Sequence, residues 1–538
     1  MVRSARALPV LLVAGLLLHG CGRHAAAPVT TEPPPPASAP ETSAVDNVVP
    51  EGTSKESAFD SNQWNSAVGL GGGAGGRFGG RRVGTESYAS TAEGGFFAAL
   101  DRSLSTFAAD VDTASFTNVR RMLRDGALPP PDAVRIEEFV NAQRYGAAAP
   151  GPREAFTVAA EVGRCAWNAD HELVRLSIRT RPIEADKVPP CNLVFLVDVS
   201  GSMDTPQKLP LLQQALGLLI DQLRPQDHVA IVTYAAGVEV PLASARGDER
   251  ERIREAVQAL RGCGSTNGQG GIQRAYEIAR AHRTAGVNRV LLATDGDFNV
   301  GIRSPDELEA FIAAQKQDDI FLTVLGLGSG NLKDDRLERL ADKGNGVYVY
   351  LDDLAAARRV LVEQFGASMM TVAKDVKLQV EFDPRQVQSY RLLGYDNRAL
   401  AAQDFRDDQK DGGELGAGHC VTALYEIVRR ADAPRTADAT LLTLRIRYKP
   451  PEGDTSREFA HRVAAPAAVP EQPSDDFQVA ATAAALALQL RGSKDCGNLC
   501  FDLVAAMAGR LPPPGSDDLR SMVSQACALA SRAGVEAR

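Results

Sequence analysis

The chain has 538 residues, 44% of them hydrophobic and 24% charged, and its formal net charge is −9 at pH 7. This length and apolar content allow a large buried core and predict several domains. The negative net charge and the absence of a long Lys/Arg run argue against a general nucleic-acid-binding protein, so no nucleic-acid partner is expected.

The first twenty residues, 1–20, have the pattern of an export signal. Two arginines precede an apolar stretch, 8–18, that is too short for a convincing membrane span. Residues 18–21 read Leu-His-Gly-Cys, which resembles the lipobox of bacterial lipoproteins and implies cleavage before Cys21 and lipidation of its thiol. An ordinary secretory signal is the alternative. Both place the mature chain in the cell envelope or beyond, and Gly22 favours an outer-membrane anchor, with the protein facing the periplasm or the cell surface.

Residues 21–94 are rich in Pro, Gly, Ser and Thr, with four consecutive prolines at 33–36 and a glycine-rich run at 71–76. Such a composition cannot bury enough apolar surface to fold. The glycine run is not a phosphate-binding loop, because no Gly-Lys-Ser/Thr ends it. We therefore predict a disordered tether between the membrane and the folded body.

Residues 95–189 are predicted to form an N-terminal domain in which helices come first and β-strands follow. Helix-like stretches precede two alternating apolar runs, 156–162 and 173–178, which are typical of antiparallel strands. Asp110 and Asp112 lie before the first helix. We predict that they act as caps or turn formers, with metal ligation as the alternative.

Residues 190–366 alternate short apolar runs with helix-like stretches, a pattern that predicts an α/β, doubly wound sheet covered on both faces. Residues 370–470 then alternate without helices and predict a β domain. Because strands precede and follow the α/β unit, both flanks are predicted to form one β-sandwich with the α/β domain inserted in it. Residues 475–538 are Ala- and Leu-rich and predict a helical C-terminal subdomain.

The most informative segment is Asp198-x-Ser200-x-Ser202, which directly follows the apolar run 192–197. That run predicts a buried parallel strand. In extended backbone, residues two apart point the same way, so these three side chains can aim oxygens at one point. The point lies at the carboxyl end of a strand, where open α/β sheets bind ligands. Oxygen-only donors suit a hard cation such as Mg²⁺ or Mn²⁺, and a plain Ser/Gly turn is the alternative.

Two later segments strengthen the metal interpretation. The glycine-rich stretch 262–268 carries Thr266, and a second buried strand, 289–294, ends at Asp295-Gly296. The order D-x-S-x-S, then Thr, then Asp-Gly resembles the metal-ion-dependent adhesion site of von Willebrand factor type A (VWA) domains.

That resemblance implies the roles of the five candidate ligands. Ser200, Ser202 and Thr266 would coordinate the metal directly, and Asp198 and Asp295 would do so directly or through water. An Asp or Glu of a partner protein would complete the coordination shell, so protein–protein contact would depend on the metal.

Four further segments resemble one bacterial family, the YfbK-like group of secreted or lipidated VWA proteins with their own N-terminal and C-terminal domains. The segments are 110–115, 128–138, 294–301 and 416–426. The likeness covers roughly residues 100–530. Cys420 departs from the pattern, where Thr or another small residue is expected, and this leaves the metal site untouched.

Three rival classes fit the residues less well. A phosphotransferase of the haloacid-dehalogenase type needs a second Asp at the position of Ser200, and a serine hydrolase needs a G-x-S-x-G elbow and a His partner that the sequence lacks. A calcium loop starting at Asp295 has suitable residues at its first, third, fifth and twelfth positions. It has Val300 where Gly is needed, however, and a strand precedes it instead of a helix. We therefore expect that the protein is not an enzyme.

Seven cysteines remain besides Cys21, and an oxidising compartment permits disulfides among them. Because seven is odd, at least one thiol stays free or pairs between chains, and the connectivity remains open. The sequence thus predicts a membrane-anchored, metal-dependent adhesion or scaffolding protein. The alternative is a regulatory or stress-related envelope component whose metal site is mainly structural.

Overall fold

The computed structural model describes residues 85–534 except 152–153, 185–186, 266–269, 297–304, 316–317, 364–369, 435, 437–438, 452 and 514. Several predictions fall outside these residues: the signal peptide, lipidation at Cys21, most of the tether, and the metal ligand Thr266.

The described chain begins with strands and helices that alternate irregularly and ends with three helices. The strands are β1 (Phe97–Ala98), β2 (Leu104–Ala108), β3 (Phe156–Arg164), β4 (His171–Thr180), β5 (Cys191–Asp198), β6 (His228–Tyr234), β7 (Val238–Arg246), β8 (Val287–Thr294), β9 (Ile320–Leu327), β10 (Tyr348–Leu351), β11 (Thr371–Phe382), β12 (Val387–Leu393), β13 (Ala399–Leu400), β14 (Gly413–Gly416), β15 (Cys420–Arg429), β16 (Thr440–Lys449) and β17 (Arg457–Ala464). The helices are α1 (Ala114–Arg124), α2 (Ile136–Asn141), α3 (Leu209–Ile220), α4 (Arg250–Gln258), α5 (Gly271–Ala281), α6 (Pro305–Gln315), α7 (Asp334–Lys343), α8 (Leu354–Arg358), α9 (Asp475–Arg491), α10 (Phe501–Ala508) and α11 (Asp517–Arg532).

The central α/β unit is a six-stranded sheet in the order β10-β9-β8-β5-β6-β7. Its strands are parallel except for the edge strand β7, which pairs antiparallel with β6. Every residue of β5 and β8 is buried, which explains their nearly continuous apolar sequences. Helices α3, α4 and α8 cover one face, and α5, α6 and α7 cover the other. The predicted doubly wound architecture is confirmed.

The flanking strands form a sandwich of two antiparallel sheets, as predicted. One sheet has the order β1-β12-β15-β4-β3 and the other the order β13-β2-β11-β16-β17, with β14 paired to β11. Strands from before and after the α/β unit pair in both sheets: β4 with β15, and β2 with β11. The chain therefore leaves the sandwich after β4, forms the α/β domain and re-enters the sandwich at β11.

The helices near both ends of the described chain pack around one core. Residues of α1 and α2 meet residues of α9, α10 and α11 there, together with Trp167 between β3 and β4. The contact with the sheet is close at Gly163, where a Cβ would lie only 2.3 Å from the Phe477 ring. The N-terminal and C-terminal helices therefore form one layer on the sandwich.

The α/β domain is joined to its frame by three carboxylates on α7, of which Asp334 and Glu338 are buried and Asp342 is half-buried. Asp334, Glu338 and Asp342 are spaced four residues apart and so lie on one helix face. The Arg135 guanidinium, just before α2, pairs with Asp334 and with Glu338, the latter at 3.4 Å. Arg135 also pairs with Glu138. Burial, with neighbouring carboxylates, raises the pKa of Glu338 to about 7 against the opposing effect of Arg135.

Arg398, which follows β12, completes this junction. Its guanidinium contacts Asp342 at 2.7 Å, Asp110 at 3.2 Å and Asp112 at 3.3 Å. Burial alone would lower the pKa of Arg398, but these carboxylates hold it well above its ordinary value. The Asp112 carboxylate also accepts a hydrogen bond from the Tyr348 amide at the start of β10.

Asp110 has the predicted turn-forming role, because its Oδ1 accepts a hydrogen bond from the Asp112 amide at 2.9 Å. The ion pairs of both residues with Arg398 are an addition to the prediction. Two charged aspartates two residues apart in an otherwise apolar segment were the available signal.

The predicted tether is too long at its C-terminal end, since residues 85–94 are held on the folded body. The amides of Thr85 and Ser87 donate to the carbonyls of Gly330 and Leu332, at 2.6 and 2.9 Å. Glu86 pairs with Arg121 on α1 at 3.0 Å. The backbone hydrogen bonds and this ion pair give ordered structure to a segment for which the composition alone predicts disorder.

Within the described ranges, the helices are too short or too polar to cross a bilayer. The predicted membrane attachment concerns the N-terminal residues outside those ranges.

We predict that Arg398→Leu lowers the free energy of unfolding by about 3–5 kcal/mol, because it leaves three carboxylates without their shared counter-charge in a buried junction. Equilibrium denaturation of the variant measures this loss. The matched control is Arg385→Leu, since the Arg385 side chain is 82% exposed and pairs with Asp383 at the surface. It should change stability by less than about 0.5 kcal/mol, and an equally small loss for Arg398→Leu would contradict the assigned role.

Candidate metal centre

The structure brings together four of the five predicted ligands. Strands β5 and β8 are parallel neighbours in register, with Val197 opposite Ala293. Their carboxyl ends therefore place Asp198 and Asp295 at the same edge of the sheet. The fifth residue, Thr266, lies outside the described residues. The stretch just before it contacts the turn that carries Ser200 and Ser202, because the Gly264 carbonyl accepts a hydrogen bond from the Gly201 amide at 3.0 Å.

A chain of hydrogen bonds connects these residues. The Ser200 amide donates to Asp198 Oδ1 at 2.8 Å, and the Ser200 and Ser202 hydroxyls are 3.1 Å apart. The Ser202 hydroxyl donates to Asp295 Oδ2 at 2.6 Å. Ser202 is exposed, whereas Asp198, Ser200 and Asp295 are buried. The site is thus a buried polar cluster that opens to solvent at one hydroxyl.

The Asp-Gly step at this edge has a steric cause. Gly296 has φ +109°, and a Cβ there would lie 2.6–2.8 Å from backbone atoms of residues 331–333. Only glycine fits this close approach without displacing the neighbouring loop. The loop between β9 and α7 therefore packs directly behind Asp295.

Sequence reasoning missed Lys208, which lies in the turn before α3. Its ammonium donates to Asp295 Oδ2 at 2.8 Å and to Asn331 Oδ1 at 3.4 Å, and its side chain is 8% exposed. A lysine six residues after Ser202 suggests a solvated turn. The signal that could have revealed it is its position directly before the apolar run 209–212, which places its side chain against the core.

The two aspartates have opposite pKa shifts. Burial, helped by the charge of Asp295, raises the pKa of Asp198 to about 6 against the hydrogen bonds from Ser200. Burial also opposes ionisation of Asp295. Hydrogen bonds from Lys208 and Ser202 outweigh that effect and hold the pKa of Asp295 below its ordinary value. Asp295 is therefore the permanent anion of the pair.

The residues fit a hard divalent cation by two observations. Asp198 is buried, and the side chains that hydrogen-bond to it, Ser200 and Tyr234, carry no charge, so its carboxylate would be costly there without a cation or proton. The other donors are hydroxyl and carboxylate oxygens, which Mg²⁺ and Mn²⁺ prefer. In the described ranges no group of three or more His, Cys, Asp or Glu side chains is arranged to hold a metal, and this site contributes only two such residues, Asp198 and Asp295.

The described residues contain only part of the alternative calcium loop that would start at Asp295. Asp297 and Asn299 lie outside the described residues, and Asp306 lies in the first turn of α6. His419 is half-buried, and its Nδ1 accepts a hydrogen bond from the Gly416 amide at 3.2 Å. Burial lowers the pKa of His419 to about 4, so it is a neutral structural residue.

Comparison with protein families agrees with this fold. The family described as "von Willebrand factor type A domain" matches residues 192–364, and "von Willebrand factor" matches residues 82–175. The protein is therefore a VWA-domain protein, a class that commonly serves in protein–protein interaction.

The remaining matches define the family more closely. "Uncharacterized protein YfbK, C-terminal" matches residues 367–526. YfbK of Escherichia coli K12 is 38% identical over 435 residues, which cover 75% of this chain and 74% of that protein. The chain belongs to the YfbK-like family of VWA proteins.

More distant similarities lie in smaller parts of the chain. Human inter-alpha-trypsin inhibitor heavy chain H2 is 27% identical over 175 residues, which are 31% of this chain and 18% of that protein. Among solved structures, a von Willebrand factor type A protein from Catenulispora acidiphila aligns with a TM-score of 0.41 and 18% identity, covering 70% of this chain and 91% of that one.

We predict that Asp295→Asn destabilises the metal-free protein by about 2–3 kcal/mol, because it leaves the Lys208 ammonium buried beside a neutral amide. Urea denaturation in chelator-treated buffer measures the loss. Asp204→Asn is the matched control, at an exposed position in the turn between Ser202 and Lys208. It should leave the free energy of unfolding nearly unchanged. Equal stability of the two variants would show that Lys208 does not need the charge of Asp295.

Proposed function

We propose that this protein is a membrane-anchored adhesion or scaffolding protein that binds a divalent cation and, through it, a carboxylate of a partner protein. The proposed ligands are Asp198, Ser200, Ser202, Thr266 and Asp295. The supporting observation is the hydrogen-bonded chain that runs from Asp198 through Ser200 and Ser202 to Asp295, in which Ser202 is an exposed residue.

Hydrogen bonds among the described residues orient the proposed ligands. Asp295 Oδ2 accepts a hydrogen bond from the Ser202 hydroxyl. With that proton directed at Asp295, the Ser200 hydroxyl is the donor to Ser202, which leaves one lone pair of Ser202 for a cation. The Ser200 amide fixes Asp198 through Oδ1, and the other carboxylate oxygen, Oδ2, is buried. Both arrangements present oxygen donors toward one place at the carboxyl edge of the sheet.

Mg²⁺ or Mn²⁺ supplies an electrophilic position that a partner's Asp or Glu can occupy. Apart from two aspartates the proposed set holds only neutral hydroxyls, and a small hard cation keeps part of its coordination shell for water, so a partner's carboxylate can replace a water there. The exposure of Ser202 gives the partner access to the site. The ligand is therefore a protein surface that presents an acidic side chain.

We also propose that the site is not catalytic. The Ser200 and Ser202 hydroxyls bond to each other and to Asp295, and no His of the described residues is hydrogen-bonded to either. A nucleophilic serine needs a base strong enough to take its proton, and Asp295 is a poor base because Lys208 and Ser202 hold its pKa below the ordinary value despite burial.

The proposed location is the cell envelope, through a lipid on Cys21 and most simply at the outer membrane, facing the periplasm or the cell surface. The support is the export signal and lipobox-like sequence at residues 18–21. Several acyl chains on one cysteine make anchoring stable, since a single chain binds only marginally.

The metal-dependent interaction predicts a selective pull-down. The mature chain from residue 22 onward, immobilised and exposed to solubilised envelope extract, should retain a partner in Mg²⁺ and lose it in chelator. Ser202→Ala should lower retention by about tenfold or more, since it removes a donor from the site.

The matched control is Ser521→Ala, an exposed serine on α11, which should leave retention unchanged. A partner held equally by all forms, with and without chelator, would contradict metal-dependent binding. It would favour the alternative, a regulatory envelope component with a structural metal site.

The proposed anchor predicts that Cys21→Ser abolishes incorporation of a clickable fatty-acid analogue in growing bacterial cells, because the thiol is the acylated atom. Gel fluorescence after labelling measures the incorporation. In membrane fractionation, the variant should be released without detergent, whereas the unaltered protein should require detergent for its extraction. Cys527→Ser, which changes a cysteine in α11, is the control and should label normally. Full labelling of Cys21→Ser would rule out a lipid at this residue.

A further inference from the structure

The ammonium of Lys208 is a cation already built into the candidate metal centre. It lies 2.8 Å from Asp295 Oδ2, the same oxygen that accepts the Ser202 hydroxyl. Its second partner is Asn331, at 3.4 Å. A lysine on the protein surface would exchange such hydrogen bonds with water, but only 8% of this side chain is exposed.

The surrounding backbone is shaped around the lysine. Gly328, directly after β9, has φ +72°, and a Cβ there would lie 2.2 Å from Cε of Lys208 and 2.4 Å from its Cγ. The alkyl chain therefore fills the space that a side chain at residue 328 would take. This fit fixes the ammonium against Asp295.

We infer that Lys208 sets the metal affinity of this site and makes tight binding depend on the partner's carboxylate. This inference rests on the proposed function and identifies a residue outside the five ligands. With Lys208, the charged side chains of the site sum to −1, whereas Asp198 and Asp295 alone would sum to −2.

The charge count has two consequences. A divalent cation added to −1 leaves an excess of +1, which a partner carboxylate neutralises. Without Lys208 the same cation would be neutralised by the two aspartates, and a further carboxylate would add uncompensated negative charge. Lys208 therefore weakens binding of the cation alone and strengthens its coupling to an anionic ligand, and this coupling is reciprocal.

Isothermal titration of the full mature chain with Mn²⁺, in the absence and presence of excess sodium acetate, tests this inference. Lys208→Met removes the charge and keeps the unbranched side chain except for its terminal atom. It should tighten the Mn²⁺ dissociation constant by about tenfold or more. Acetate should tighten Mn²⁺ binding to the unaltered protein and have a smaller effect on the variant.

Two further variants make the result specific. Lys208→Gln retains a donor for Asp295 and Asn331 but is neutral, so it should reproduce the tighter Mn²⁺ binding even if Lys208→Met folds poorly. Lys187→Met removes the charge of an exposed lysine, whose side chain is 66% exposed, and should bind Mn²⁺ as the unaltered protein does.

The outcomes separate this inference from the proposed function. Equal Mn²⁺ affinity of the unaltered protein and both Lys208 variants, with equal acetate effects, would overturn the role of Lys208 and leave the metal site intact. No Mn²⁺ binding by any form would overturn the metal site and the inference with it.

Discussion

Two guanidiniums, the buried one of Arg135 and the half-buried one of Arg398, hold the VWA domain in its frame. They come from the two sides of the domain insertion and meet on one face of α7, where Asp334, Glu338 and Asp342 are aligned. Breaking a buried ion pair by removing one partner is strongly destabilising, so these contacts specify one orientation of the inserted domain. Hydrophobic packing alone is less directional and would define that orientation less uniquely.

The same junction extends to the candidate metal centre through a short path along the chain. Helix α7 begins directly after the loop that packs behind Gly296 and that carries Asn331, a partner of Lys208. The frame thus fixes the loop, and the loop fixes the lysine that pairs with Asp295. The site therefore contains two types of charged group, two aspartates and a lysine. In the function we propose, the aspartates attract a cation, the lysine limits that attraction, and contact with a partner is reversible.

The α/β domain and most of the sandwich were predictable because their strands are long and strongly patterned. Strand β2 was not, since Leu104–Ala108 is short and its structure is decided by pairing with β11, which is distant in sequence. Asp198, Ser200, Ser202 and Asp295 were predictable because their positions after two neighbouring strands fix their location. Lys208 was not, because its contact with Asp295 depends on the path of a turn and on the space left by Gly328. The placement of Thr266 remains a prediction.

Metal binding at the carboxyl edge of the central sheet is tested by a crystal structure of the protein grown with Mn²⁺, with anomalous diffraction measured for the metal. We expect one anomalous peak at this edge, within coordination distance of the Ser200 and Ser202 hydroxyls. A well-ordered site with no peak, in which Ser202 and Lys208 still share Asp295 Oδ2, would contradict metal binding there.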